Sequence, residues 1–156
     1  MPYERVKVIV KTDPADWHGM STEIMWAANM GNKKYKLDNF PFFAYGLSYG
    51  DVVTASLNDE NVLYIERVVI KGGHSNYRIL LAKEKSKTDF LCLWKEIEKL
   101  GVSYESTKPE NIFAIDIPPS ADVSAIYKIL EEGELKGIWQ FDEGNYEHSN
   151  KPKAGL

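Results

Sequence analysis

Apolar and polar positions alternate along the first eighty residues, and then the period changes. Val6, Val8 and Val10 alternate with Lys7, Ile9 and Lys11, which predicts a first strand. Asp13-Pro14-Ala15-Asp16 stops it, because Pro disfavours both strand continuation and a helical residue before it. Ser21 to Asn29 reads as a strand or a short helix; Gly31-Asn32 turns the chain and Tyr35-Lys36-Leu37 alternates again, so a hairpin is expected there. Tyr35, Phe40, Phe42, Phe43, Tyr45 and Tyr49 then crowd one stretch, while Pro41, Gly46 and Gly50 prevent a regular helix or central strand. A compact connection with packed aromatics is expected, with Tyr45 and Tyr49 available to an interface. Strands follow at 52–57, 62–70 and 77–82, joined by Asn58-Asp59-Glu60-Asn61 and by Lys71-Gly72-Gly73-His74-Ser75-Asn76.

Beyond residue 87 the period becomes helical. Phe90, Leu91, Leu93, Trp94, Ile97 and Leu100 form a stripe, with Thr88 or Asp89 as N-cap and Gly101 as the stop. A strand at 102–107, a turn at 108–111 and an apolar strand at 112–117 lead to Pro118-Pro119. Ser120 or Asp122 caps a second helix along Val123, Ile126, Tyr127, Ile129 and Leu130, ending near Gly133 or Gly137, and Ile138 to Phe141 is the last strand. The expected fold is α+β. A small antiparallel β-meander or barrel-like subdomain (1–76) precedes a ferredoxin-like βαββαβ sandwich (77–148), and 149–156 form a flexible tail.

Composition agrees with a globular chain: of 156 residues, 44% are hydrophobic and 27% charged. The lone Cys92 excludes an internal disulfide, and one Cys with three His excludes the usual zinc clusters; Cys92 itself is expected to be a small buried hydrophobe. No run reaches 18 apolar residues and the start lacks a signal-peptide core, so a cytoplasmic protein with no membrane partner is expected. Net charge is −4, but residues 102–147 hold three Lys against ten Asp and Glu, a local −7. Such a surface repels phosphate backbones and attracts a basic protein, so no nucleic-acid partner is expected.

Two segments, Leu37 to Val53 (LDNFPFFAYGLSYGDVV) and Glu66 to Arg78 (ERVVIKGGHSNYR), resemble the DUF4265 domain, a bacterial family of unknown function. Asp116-Ile-Pro-Pro119 and the second helix with its Glu131-Glu132-Gly133 are similar to it as well. The resemblance implies an Asn-x-Pro-Phe-Phe-Ala core, a Gly-Asp-Val-Val step and a Ser-Gly-His-Ser-like loop. Here Gly72 stands at that loop's first hydroxyl position. The likeness covers roughly residues 5–145 and carries no mechanism.

Two kinds of chemistry compete. His74 on its Gly-rich turn has the residue type of a general base, with Ser75, Asp51 and Glu66 as possible companions where the two loop segments meet. Against a Ser–His pair, adjacent residues rarely aim their side chains at one another and catalytic Ser–His partners usually come from separate elements, so Ser75 is better suited to bonding its own turn. The acidic set Glu131, Glu132, Glu134, Asp142, Glu143 and Glu147, with Trp139, Phe141 and Tyr146 among the acids, has the composition of a protein interface. Its spacing lacks a calcium-loop pattern, and no cofactor motif or metal site is recognised. The expected function is therefore a non-enzymatic module that docks a basic protein, by analogy an immunity protein neutralising a bacterial toxin. The alternative is a small hydrolase or ligand-binding domain at the 37–51 and 66–78 loops.

Overall fold

A computed structural model describes residues 3–83, 87–107 and 111–149, with Lys87 described by its backbone alone. Residues 84–86 of the charged junction, 108–110 of the expected turn and 150–156 of the expected tail lie outside the described residues. The chain is a mixed α+β structure built mostly of antiparallel strands, with two helices.

Five strands, β1 (Arg5–Lys11), β2 (Thr22–Gly31), β3 (Lys34–Leu37), β4 (Val52–Leu57) and β5 (Leu63–Ile70), close into a barrel in chain order. Neighbours run antiparallel, and a parallel pair between Ile9 and Tyr64 joins β1 to β5. The ambiguous segment 21–29 is a strand for a reason visible in its period. Glu23, Met25 and Ala27 are buried while Ile24 is exposed, an alternation that a helix would scramble. Val8, Met25, Ala27, Leu37, Val53 and Ala55 fill the barrel. Of the aromatic run only Tyr35 joins this core; Phe40, Phe42, Phe43 and Tyr49 are half-buried and Tyr45 is exposed.

The remaining strands, β6 (Ser75–Leu81), β7 (Ser103–Thr107), β8 (Ile112–Ile117) and β9 (Trp139–Asn145), form an antiparallel sheet in the order β7-β8-β6-β9. Helices α1 (Lys87–Glu98) and α2 (Val123–Leu135) cover one face. There Tyr77, Ile79, Phe113, Ile115 and Ile117 pack against Phe90, Trp94, Ile97, Ile126 and Leu130. The sequence reading of the caps is half right. Asp122 caps α2 by accepting from the Ala125 N–H at 3.1 Å, but Thr88 and Asp89 lie inside the first turn of α1. Helix α2 runs straight through Gly133, where a Cβ would overlap the Trp139 indole, and Gly137 (φ +71°) turns the chain after it.

One expectation fails outright. Cys92 is exposed, because Phe90, Trp94 and Ile97 define the buried side of α1 and Cys92 sits on the other. No described helix is long and apolar enough to cross a membrane.

Candidate functional site

Strand β6 is buried on both faces. Its odd residues face the helices, while Asn76 and Arg78 face the barrel with Ala114 and Asp116 of β8. The seam between the two layers is therefore polar. Arg78, 0% exposed, donates through Nε to the Pro41 carbonyl at 3.4 Å and through Nη2 to that of Ala44, and lies 4.8 Å from the Tyr45 ring centroid. Burial lowers its pKa, and the charge of Glu23 opposes that shift. Glu23 in turn accepts from the backbone N–H groups of Phe42, Phe43 and Ala44 at 2.7–2.9 Å, so one buried carboxylate holds the loop that receives the guanidinium. Asn76 donates to the Leu47 carbonyl (2.7 Å) and to Ser48 Oγ (2.9 Å).

At one end of the seam lies a cluster of acids and imidazoles. Asp51, fully buried, accepts from the N–H of Ser48 (3.0 Å) and of Gly72 (2.9 Å). Glu147 accepts from the Gly73 N–H (2.8 Å) and from Asn145 Nδ2 (2.7 Å). Burial pushes Asp51 up to about 7; the Gly72 N–H opposes the rise, and the hydrogen bond and charge of Glu147 reinforce it. Asp51 therefore holds its proton more tightly than an exposed carboxyl does, since burial and the nearby charge of Glu147 both disfavour its ionised form. Gly72 must be glycine here: a Cβ would stand 2.8 Å from the Gly50 carbonyl oxygen.

His74 extends from the same loop. Its Nδ1 is 2.9 and 3.0 Å from the two Asp116 oxygens, and its ring meets Tyr49 edge-on with centroids 5.2 Å apart. The carboxylate makes Nδ1 the protonated nitrogen, so neutral His74 offers Nε2 as a base. No described residue hydrogen-bonds Nε2, and the side chain is 19% exposed. Burial raises the Asp116 pKa, and the charge and hydrogen bond of His74 oppose the rise.

Ser75 turns the other way. Its Oγ accepts from the Glu147 N–H (2.8 Å) and contacts His148 Nδ1 at 2.6 Å, while His148 Nε2 lies 2.9 Å from the Pro118 carbonyl. A carbonyl only accepts, so Nε2 carries the proton and Ser75 donates to Nδ1. This hydroxyl is fully buried and ties strand to tail; it does not face His74.

Of the loop candidates, His74, Ser75 and Asp51 therefore come together, although His74 and Ser75 do not meet. Glu66 is absent from the cluster. It is exposed on the barrel exterior, lining a separate groove with Lys11, Tyr64 and Arg67. The sequence reading missed Asp116, His148, Asn145 and Arg78 as site residues and placed Glu147 with the acidic surface instead. The available signal was polarity out of place: Asp116 interrupts an otherwise apolar strand, Arg78 directly precedes the apolar Ile79-Leu80-Leu81 of β6, and buried charges need partners.

The acidic set divides. Trp139 is 1% exposed, its Nε1 donating to the Leu130 carbonyl, so it belongs to the core and is lost to any docking surface. Asp142 accepts from Trp17 Nε1 (3.2 Å) and from the Tyr45 hydroxyl, pinning the 12–21 loop to the sheet. Glu143 accepts from the Tyr77 hydroxyl (3.3 Å), and Glu132 pairs with Lys136 (2.7 Å). Glu131, Glu132 and Glu134 lie on α2, with Glu131 half-buried and the other two exposed, and Tyr146 is half-buried beyond β9. Among the described residues no group of three His, Cys, Asp or Glu is arranged to hold a metal ion.

A closed barrel docked through a hydrogen-bonded seam onto a helix-backed antiparallel sheet, with paired acids and an oriented histidine at one end, defines the class of molecule. The chain belongs to the DUF4265 family, a domain of unknown function, whose model matches residues 23–141. The fold is shared with a hypothetical protein from Neisseria gonorrhoeae known from a crystal structure. That protein is 21% identical, with 94% of this chain and 99% of that chain covered at a TM-score of 0.79. Comparison with curated proteins finds no match.

Proposed function

We propose that the seam carries a small-molecule site in which His74 Nε2 takes up or delivers a proton. The observation that carries this reading is the Asp116 carboxylate at 2.9–3.0 Å from Nδ1, which orients the ring and leaves Nε2 at a half-buried rim. Because Ser75 is buried and bonded elsewhere, the reading is non-covalent: His74 acts on water or on the ligand's own acidic proton. The test is an NMR-monitored screen of small esters, amides and carboxylates. Hits should shift the His74 and Tyr49 ring signals, and His74→Gln should abolish them with the fold intact. Hits that persist in His74→Gln, or that never touch those rings, overturn the reading.

A second reading keeps the acidic surface as a docking face for a basic protein such as a toxin domain. It is supported by Leu135, 88% exposed at the end of α2 beside Glu132 and Glu134, an apolar contact within an acidic rim. The β6-α1-β7-β8-α2-β9 order supports a ferredoxin-like reading of the second unit, with the first unit ending near residue 76. An exposed thiol at Cys92 suits a reducing cytoplasm.

A further inference from the structure

One face of the barrel exterior, that of β1, β2 and β3, is rich in cations, in contrast to the acidic stretch 102–147. Val6 and Val10 of β1 pack on the barrel core and Val8 is buried in it, so Arg5, Lys7, Ile9 and Lys11 face outward. On β3, Tyr35 and Leu37 point in and Lys34 and Lys36 point out. Strand β2 runs between them and presents Ile24, 60% exposed, and half-buried Trp26. The register sets Trp26 opposite Lys7, and Ala28 opposite both Arg5 and Lys36. Strands lie about 4.8 Å apart, so the Lys34 and Lys36 row runs roughly 10 Å from the β1 row, beside Gly31 and Ala28, while Asp38 stands next to Trp26 on the β3 side. Arg5 and Lys7 sit 4.6 and 5.3 Å from the Trp26 ring centroid, and Lys11 sits 5.7 Å from that of Tyr64. Asp38 is held by Arg5 at 3.2 Å, and Glu105 of the neighbouring sheet approaches this pair at the edge of the face.

We infer that the outer face of β1, β2 and β3 binds single-stranded nucleic acid, the cation rows taking phosphates and Trp26 taking a base. Both components such binders require are present, a positive track and an aromatic platform within it, and the chain's overall −4 conceals them. An unpaired strand is favoured over a duplex because the indole needs a free base face. The expectation of no nucleic acid came from residues 102–147, which lie in the other unit and repel phosphate there.

The test is fluorescence anisotropy with labelled 20-nucleotide oligo-dT and oligo-U, a 20-base-pair duplex and heparin, at low and high salt. Oligo-dT or oligo-U should bind at low salt and weaken steeply with added salt. Lys7→Glu with Lys36→Glu, both exposed, should weaken binding at least roughly tenfold without changing the melting temperature. Trp26→Ala should weaken oligo-dT far more than heparin, and Trp26→Phe should restore most of it. Three results overturn the inference: no binding at low salt, binding that survives the charge reversal, or duplex and heparin binding equal to oligo-dT and indifferent to Trp26.

Discussion

The two faces of strand β6 are held by different physics. Toward the helices, Tyr77 and Ile79 meet an apolar layer whose members each contribute roughly 1.5–3 kcal/mol by leaving water. That attraction has no direction. Toward the barrel, Arg78 and Asn76 donate to three carbonyls and the Ser48 hydroxyl at fixed angles, while Arg78 Nη1 and Asn76 Oδ1 are buried without a partner among the described residues. Such bonds add little net stability, yet leaving one unmade in a dry seam is expensive. The apolar face therefore tolerates shape changes, whereas the polar face specifies one docking geometry. The paired acids and the oriented His74 belong to the second.

The sharpest way to break this contrast is Glu23→Ala. The change removes the acceptor of three backbone N–H groups and the carboxylate facing Arg78. Stability should fall by about 3–5 kcal/mol, the usual cost of orphaning a buried charge. Denaturant unfolding measures it, and Glu23→Gln, which keeps an acceptor, should cost clearly less.

A subtler lever is pH. Asp51 titrates near 3.8 when unfolded and at about 7 when folded, so the folded chain holds more protons in between. Stability therefore falls as pH rises from about 4 to about 7, opposite to the behaviour of an ordinary ion-paired carboxylate. Glu147→Gln removes the repelling neighbour, lowers the Asp51 pKa and flattens that slope. Melting temperatures across pH 4–8 check it; an unchanged slope would mean that the charge of Glu147 does not act on Asp51.

Periodicity made the elements legible, and the seam was not legible for the same reason. Val8, Phe113 and Ile126 announce their faces through spacing within one element. Arg78 and Asp116 announce only that something polar is buried, and the partner lies far along the chain: Ala44 for Arg78, His74 for Asp116. Glu147 was read as part of an acidic surface because nothing local links it to Gly73, 74 residues earlier. Trp139 misled in the opposite direction. Its acidic neighbours in sequence suggested a surface, while strand alternation turns it inward against Gly133.

On the apolar face the matching experiment is mild. Ile115, fully buried beneath the helices, becomes Val at a cost of about 0.5–1.5 kcal/mol, because the contact loses one methylene and no partner is orphaned. The mid-point of urea unfolding reads the loss. A cost equal to that of Glu23→Ala would erase the distinction between the two faces.

The smallest effect is expected at the exposed end of α2. Glu132 and Lys136 make an exposed i,i+4 pair at 2.7 Å, so Glu132→Gln should cost no more than about 0.5 kcal/mol and less still in high salt. Glu134→Gln on the same helix should be similarly mild. Near-silence in stability is what makes these positions informative about binding. A seam variant that loses activity has two explanations, a broken site or a shifted barrel, whereas a Glu132→Gln, Glu134→Gln double variant leaves the fold alone. If it releases a basic partner that the unaltered chain retains at low salt, the acidic helix is a docking surface in its own right. If it retains the partner, the acids of α2 do no more than keep that helix hydrated, and the case for function rests on the seam and the barrel face.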